Sequence, residues 1–161
     1  QKVTVYDQRR EAAKKYQKEM EEKYKIPVMV CDSVEEAVKG AEIICTVTPS
    51  KEPYLKAEWI TPGAHINAVG AFTPNTREIE SSLMAKAKLY ADQVEAMKKE
   101  CGEYLIPKNE GLFGEEHITG SIGGILAGQV PGRENDTEIT LFDALGLAVE
   151  DVACGRFLCR E

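Results

Sequence analysis

Short runs of β-branched and apolar residues alternate along this chain with longer stretches of helical pattern, and that alternation most constrains what it can fold into. Parallel strands need long crossovers, and a helix is the usual one. The expected fold class is therefore α/β: a doubly wound, mostly parallel sheet. Lys2–Tyr6 reads as the first strand, and Arg9 to Tyr24 as an Ala-, Lys- and Glu-rich helix with many i,i+4 pairs. Pro27–Cys31 reads as the second strand. Asp32 or Ser33 then caps a short helix, Glu36 lies three residues after Ser33 as in a capping box, and Gly40 ends the helix. Glu42–Val47 is almost wholly apolar, as expected of a strand covered by helices on both faces.

The pattern continues. Ala64–Val69 reads as a strand, and Pro74-Asn75-Thr76 opens a helix near Arg77–Lys86. Lys88–Ala91 reads as a strand, with Asp92 capping a helix over Gln93–Cys101. No single period dominates from Gly102 to Thr119. Ser121–Ala127 reads as a short helix, Gly128–Thr137 as a loop, Glu138–Phe142 as the last strand and Ala144–Ala153 as an amphipathic, largely buried helix.

Length and composition narrow the class of protein. A chain of 161 residues fits one domain, and 43% hydrophobic with 29% charged residues describes a water-soluble globular protein. The formal net charge of -7 disfavours nucleic acid as a partner, because phosphate backbones select basic surfaces. No apolar run approaches ~18 residues, so no membrane-spanning helix is expected. Gln1–Asp7 reads as a strand followed by charge, not as a leader. The five cysteines are odd in number and show no CxxC spacing. Neither a disulfide framework nor a zinc site is expected, Cys31 and Cys45 read as small buried hydrophobes, and a reducing cytosol is the simplest compartment.

Ligands of parallel sheets bind outside the carboxyl ends of the strands. Asp7 directly follows the first strand. A carboxylate there can accept two ribose hydroxyls and repel a 2′-phosphate, or it can be a plain helix cap; Arg9 and Arg10 close by could instead hold a 2′-phosphate. The glycine-rich phosphate turn belongs roughly 20 residues before such an acid, whereas six residues precede Asp7. Gly120-Ser121-Ile122-Gly123-Gly124 is a poor substitute, since it follows no clear strand and opens no long helix. Thr46, Thr48 and Ser50 offer hydroxyls after one strand, Asn67 offers an amide, and Gly70 would let a flat ring approach the backbone; all of these also suit ordinary turns. His65 reads as a satisfied core residue, and neither it nor His117 has spaced partners for a triad or a metal site. Most paired acids belong to solvated faces, with Glu150-Asp151 less easily placed there.

Three blocks then spell something specific: Asp32 to Val38 with Gly40 to Ser50, Trp59 to Ala71 (WITPGAHINAVGA), and Ile139 to Phe142 with Ala144 to Ala153. In order and spacing they resemble the dinucleotide-binding domain of the ornithine cyclodeaminase/mu-crystallin family, over nearly the whole chain. The resemblance implies a Rossmann domain for NAD(H) or NADP(H), here residues 1–161 as a partial domain without its first strand, phosphate turn and helix. It implies homodimers when intact, with a separate domain making the dimer contact. It also implies hydride transfer at the C–N bond of an amino acid or cyclic ketimine carboxylate. By the same resemblance Asp7 matches the ribose acid, favouring NAD(H); Thr46, Val47 and Thr48 match one cofactor segment; Asn67, Ala68, Val69 and Gly70 match the segment near the nicotinamide; and Leu145 matches a contact after the last strand. Phe72 stands where the family's cyclodeaminases carry an Asp. A phenyl ring transfers no proton, so imine reduction or amino-acid oxidation is expected ahead of cyclodeamination. A mu-crystallin-like protein that binds dinucleotide and a small ligand without turnover is the other alternative. The family's substrate-binding Arg and catalytic Lys have no counterpart here, so no catalytic residue is assigned, and the chain alone is expected to be inactive if it folds incompletely.

Overall fold

The computed structural model describes residues 2–159, so Gln1 in the first segment lies outside it. Seven strands, all paired in parallel, form two sheets among these residues. The smaller sheet joins β1 (Val3–Val5) to β2 (Val28–Val30) across helix α1 (Arg10–Tyr24). Helix α2 (Val34–Val38) follows, and it opens as the capping box requires: Ser33 Oγ accepts from Glu36 N at 3.1 Å. The Glu36 carboxylate reaches back to Asp32 N at 2.8 Å, one residue earlier than in the simplest form of the motif. Thr4 Oγ1 donates to Ala37 O at 2.7 Å and ties β1 to α2.

The larger sheet has the order β3-β4-β7-β5-β6. Its strands are β3 (Ile43–Thr46), β4 (His65–Ala68), β5 (Lys88–Ala91), β6 (Ile118–Ser121) and β7 (Thr140–Asp143). The chain passes from β4 to β5 and leaves between them a place that β7 fills on its return. Such a change of direction opens a crevice at the carboxyl ends of the strands. Ile66, Leu89 and Leu141 in these central strands are wholly buried. Each such side chain contributes roughly 1.5–3 kcal/mol through its removal from water. Three helices close one side: α3 (Ser81–Lys86), α4 (Val94–Glu100) and α5 (Gly102–Asn109). They bring Leu83, Met84, Met97 and Tyr104 into the same core. Together these features define a Rossmann-like α/β fold.

Several expectations are corrected. Helix α3 begins at Ser81 instead of Arg77, because the preceding residues are extended: Leu55 pairs with Ile79 in a parallel bridge, and Glu78 O accepts from Tyr54 N and Leu55 N. Gln93 caps α4 through its side chain, while Asp92, the expected cap, is turned to Gly146 N at 2.8 Å. Strand β3 is covered on one face alone among the described residues: Ile44 and Thr46 are buried, Ile43 and Cys45 exposed. The glycine-rich segment does follow a strand, β6, and opens the short helix α6 (Ile122–Leu126). A side-chain carbon on Gly120 or Gly124 would meet Val130, so these glycines serve packing within the loop. The last helix, α7 (Ala148–Leu158), begins later than expected and is exposed throughout, Glu150 and Asp151 included. No helix among the described residues is long and apolar enough to cross a membrane.

Candidate functional site at the carboxyl ends of the strands

Because all strands are parallel, the residues that follow β3, β4, β5 and β7 emerge on one edge of the larger sheet. Two of the expected segments are brought side by side there. Val69 N donates to Thr46 O at 3.0 Å, and Ala144 N donates to Ala68 O at 2.9 Å. Asn67 Nδ2 lies 3.8 Å from Cys45 Sγ. Val47 and Val69 project into solvent, 69% and 46% exposed, and Phe72, three residues after Val69, is 63% exposed. Apolar side chains grouped at a crevice, next to backbone polar groups, are the usual lining of a small-molecule site. Leu145 is half-buried and packs against the core, just before Gly146, which turns the chain with a φ of +89°.

Gly70 has a packing role that was not read in the sequence. The space where its side chain would lie is taken by the backbone of Thr48 and by the carboxyl of Glu78. Glycine therefore lets the two strand-end loops interlock, and the ring of a ligand is not what fills that space. The hydroxyls also turn inward. Ser50 N donates to Thr48 Oγ1 at 3.3 Å, Ser50 Oγ donates to Glu52 O at 2.7 Å, and Thr46 Oγ1 is buried with no partner among the described residues.

Asp7 stands apart from these segments, on the smaller sheet. One carboxylate oxygen accepts from Arg9 N at 2.7 Å, and the side chain is 40% exposed. The cap position of α1 is Arg9, so Asp7 makes a local turn ahead of the helix and keeps an oxygen free of protein partners among the described residues. Arg10 is paired with Asp32, and the Arg9 side chain, 84% exposed, places its Nε 3.8 Å from the same Asp7 oxygen. These features fit the two ends of a dinucleotide: an acid for a ribose diol and an apolar strip for a flat ring. A phosphate turn is not found among the described residues.

A set of buried acids underlies the edge, and these were not read from the sequence. Glu78, Glu103 and Asp143 are wholly buried and Asp92 nearly so. Glu103 accepts from Glu78 N and Ile79 N, and burial pushes its carboxyl up to about 8. Asp143 accepts from the Cys101 thiol at 3.3 Å, and burial pushes it up to about 7. Asp92 holds the turn after β7 through Gly146 N. The one signal available was that Glu78 and Glu103 each stand beside apolar neighbours, Ile79 and Tyr104, outside any run of acids.

The histidines lie away from this edge. His65 Nδ1 is 2.8 Å from Thr140 Oγ1 and burial lowers its pKa; the ring is satisfied, but it is half-buried on the sheet and not part of the core. His117 stacks on Phe113 with ring centroids 4.2 Å apart and bonds Met84 O. All five cysteines are free, Cys31 buried and Cys45 exposed, the latter against expectation because its face of β3 is uncovered. Among the described residues no group of three His, Cys, Asp or Glu is placed to hold a metal ion.

Parallel sheets with an apolar strip at the carboxyl ends of the strands of one and a partly exposed acid after a strand of the other fit the dinucleotide-binding class of α/β proteins. The chain belongs to the ornithine cyclodeaminase/mu-crystallin family, whose model matches residues 1–160. It is 40% identical over 156 residues to ketimine reductase mu-crystallin of Mus musculus, covering 97% of this chain and 46% of that protein. Its structure is similar to that of Thermococcus litoralis Δ1-pyrroline-2-carboxylate reductase in complex with NADH and L-proline, with a TM-score of 0.94 and 39% identity over 97% of this chain and 48% of that one. It is also similar to an archaeal alanine dehydrogenase dimer with bound NAD, with a TM-score of 0.89 and 40% identity over 96% of this chain and 47% of that one. The chain thus spans about half the length of the relatives it matches.

Proposed function

We propose that residues 1–161 are part of the dinucleotide-binding domain of an oxidoreductase that acts on the C–N bond of an amino acid or cyclic ketimine carboxylate, using NAD(H) in preference to NADP(H). The observation that carries the reading is the pairing of Thr46–Thr48 with Asn67–Gly70 at the carboxyl ends of β3 and β4. It occurs in a chain 39% identical to a reductase described with NADH and proline. Asp7 would accept the hydroxyls of the adenosine ribose and repel a 2′-phosphate. Val47 and Val69 would cover a flat ring from water, and Leu145 would meet the cofactor from the turn after β7. When bound, NAD(H) supplies or accepts the hydride.

No side chain of this chain is assigned a proton-transfer role. Phe72 can neither give nor take a proton, which supports imine reduction or amino-acid oxidation over a cyclodeaminase-type reaction. We read the active species as a homodimer, supported by the dimeric alanine dehydrogenase relative, and its compartment as a reducing cytosol, supported by five free thiols. The test is steady-state turnover by the full-length protein of Δ1-pyrroline-2-carboxylate with NADH, and of alanine with NAD. Activity in either direction with NAD(H) ahead of NADP(H) is expected. Saturable NADH binding without turnover across a panel of ketimines and amino acids would replace the enzyme reading with a binding protein of the mu-crystallin kind.

A further inference from the structure

Glu78 occupies an unusual position for a carboxylate. It is wholly buried, and among the described residues no Lys, Arg or His forms an ion pair with it. Its oxygens are satisfied by dipoles instead. Oε1 accepts from Thr48 N at 2.6 Å and from the Tyr54 hydroxyl at 2.7 Å. Oε2 accepts from Gly70 N at 3.0 Å. Thr48 lies just past the end of β3 and Gly70 just past the end of β4, where the regular ladder of the sheet no longer supplies acceptors. An N–H left without an acceptor away from water carries a free-energy cost. One carboxylate removes that cost for both loops at once.

The carboxylate is itself held in place. Its backbone N–H donates to Glu103, as does that of Ile79, and its carbonyl accepts from Tyr54 N and Leu55 N. The segment that bears it is thus fixed from both sides before the side chain reaches the loops. Gly70 completes the arrangement, since a side chain there would run into the Thr48 backbone and the Glu78 carboxyl. The spacing of the two loops is set by a three-part contact: Thr48, Gly70 and Glu78.

We infer that Glu78 is a positioning residue for the dinucleotide, fixing the separation of the loops after β3 and β4 so that Val47 and Val69 meet the same ligand. The inference rests on the dinucleotide reading proposed above. Glu78 touches no ligand in this scheme; it acts through the backbone of Thr48 and Gly70. Glutamine is close in shape but has a single acceptor oxygen. Its NH2 group would face one of the two N–H donors, so one loop would lose its tether.

The test is calorimetric titration of the full-length protein with NADH, well below its melting temperature, for wild type, Glu78→Gln, Gly70→Ala and Leu83→Ala. Leu83 is wholly buried in α3 and takes no part in the tether, so its truncation lowers the melting temperature by cavity formation alone. Expected are a Kd for NADH raised about tenfold or more in Glu78→Gln and an unchanged Kd in the folded Leu83→Ala protein. Gly70→Ala pushes the same loops apart from the opposite side and leaves Glu78 intact. It is expected to show a similar loss, and it carries the test if Glu78→Gln does not fold. An NADH Kd within twofold of wild type in a folded Glu78→Gln or Gly70→Ala protein overturns the positioning role. Failure of the wild-type protein to bind NADH overturns the dinucleotide reading itself, and with it this inference.

Discussion

The two ends of the candidate site are built in opposite ways. The acid end, Asp7, sits on a sheet of two strands whose own buried residues are few, chiefly Ala13, Val28 and Cys31. Its carboxylate is partly exposed and meets Arg9 alone among the described residues, through the backbone N–H and an exposed ion pair. The strand-end side sits on five strands and a core that includes Ile66, Leu89, Leu141, Leu83 and Tyr104, and its loops are tethered by buried carboxylates. The acid end rests on a single side chain with few packing contacts, so changing it should carry little structural cost. The strand-end side presents mostly backbone and exposed apolar side chains, and its geometry depends on carboxylates buried beneath them.

That contrast can be broken most forcefully in the core. Ile66→Ala, at the centre of the larger sheet, is expected to cost about 2–5 kcal/mol, read as a drop in the denaturant midpoint of the full-length protein. Met29→Ala, on the half-exposed face of β2, is expected to cost less than about 1 kcal/mol. Equal losses at both positions would show that the smaller sheet is as firmly built as the larger.

The next largest effect is in pH. Glu103 and Asp143 are held up to about 8 and about 7 by burial, so the folded state keeps protons that the unfolded state releases near the ordinary carboxylate range. Stability from these groups is therefore fully present below about pH 4 and declines as pH rises towards 7 to 8. The loss across that window is on the order of a few kcal/mol. Unfolding free energies measured from pH 4.5 to 8.5 should fall for this reason, and the fall should flatten in Glu103→Gln and Asp143→Asn.

At Asp7 the effect moves from stability to selectivity. Asp7→Asn is expected to weaken NADH about tenfold, roughly 1.4 kcal/mol, and to narrow the gap to NADPH, with the melting temperature little changed. Unchanged NADH affinity would return Asp7 to the role of a turn residue. The smallest effect belongs to the Arg10–Asp32 pair, whose side chains are 56% and 74% exposed. Arg10→Ala should shift stability by less than about 1 kcal/mol, and by less again in high salt.

Much of this was legible in the chain because it is local. The alternation of strands and helices, the Ser33–Glu36 box and the strand ends, expected at Val47 and Val69 and found one residue earlier at Thr46 and Ala68, depend on neighbours a few residues away. What escaped depends on distance in sequence. Glu78 meets Thr48 across 30 residues and Glu103 across 25, and no periodicity announces such a contact. The tether also explains the late start of α3, since a segment whose carbonyl and carboxyl serve another loop cannot begin a helix. Periodicity failed differently at α7 and β3. A run such as Val149 and Val152, or Ile43 and Cys45, shows that residues could be covered, but not that anything described covers them.

The interlock of Gly70 with Thr48 has a consequence for anyone redesigning such a protein. Loops at the ends of parallel strands are usually treated as exchangeable parts, each tuned independently while the scaffold stays constant. Here the loop after β4 can change only in concert with the loop after β3 and with a glutamate near α3. Substitutions in these segments should therefore be strongly epistatic. A library that varies one loop at a time would sample mostly broken combinations, whereas recombining the three segments as one block would preserve the fit.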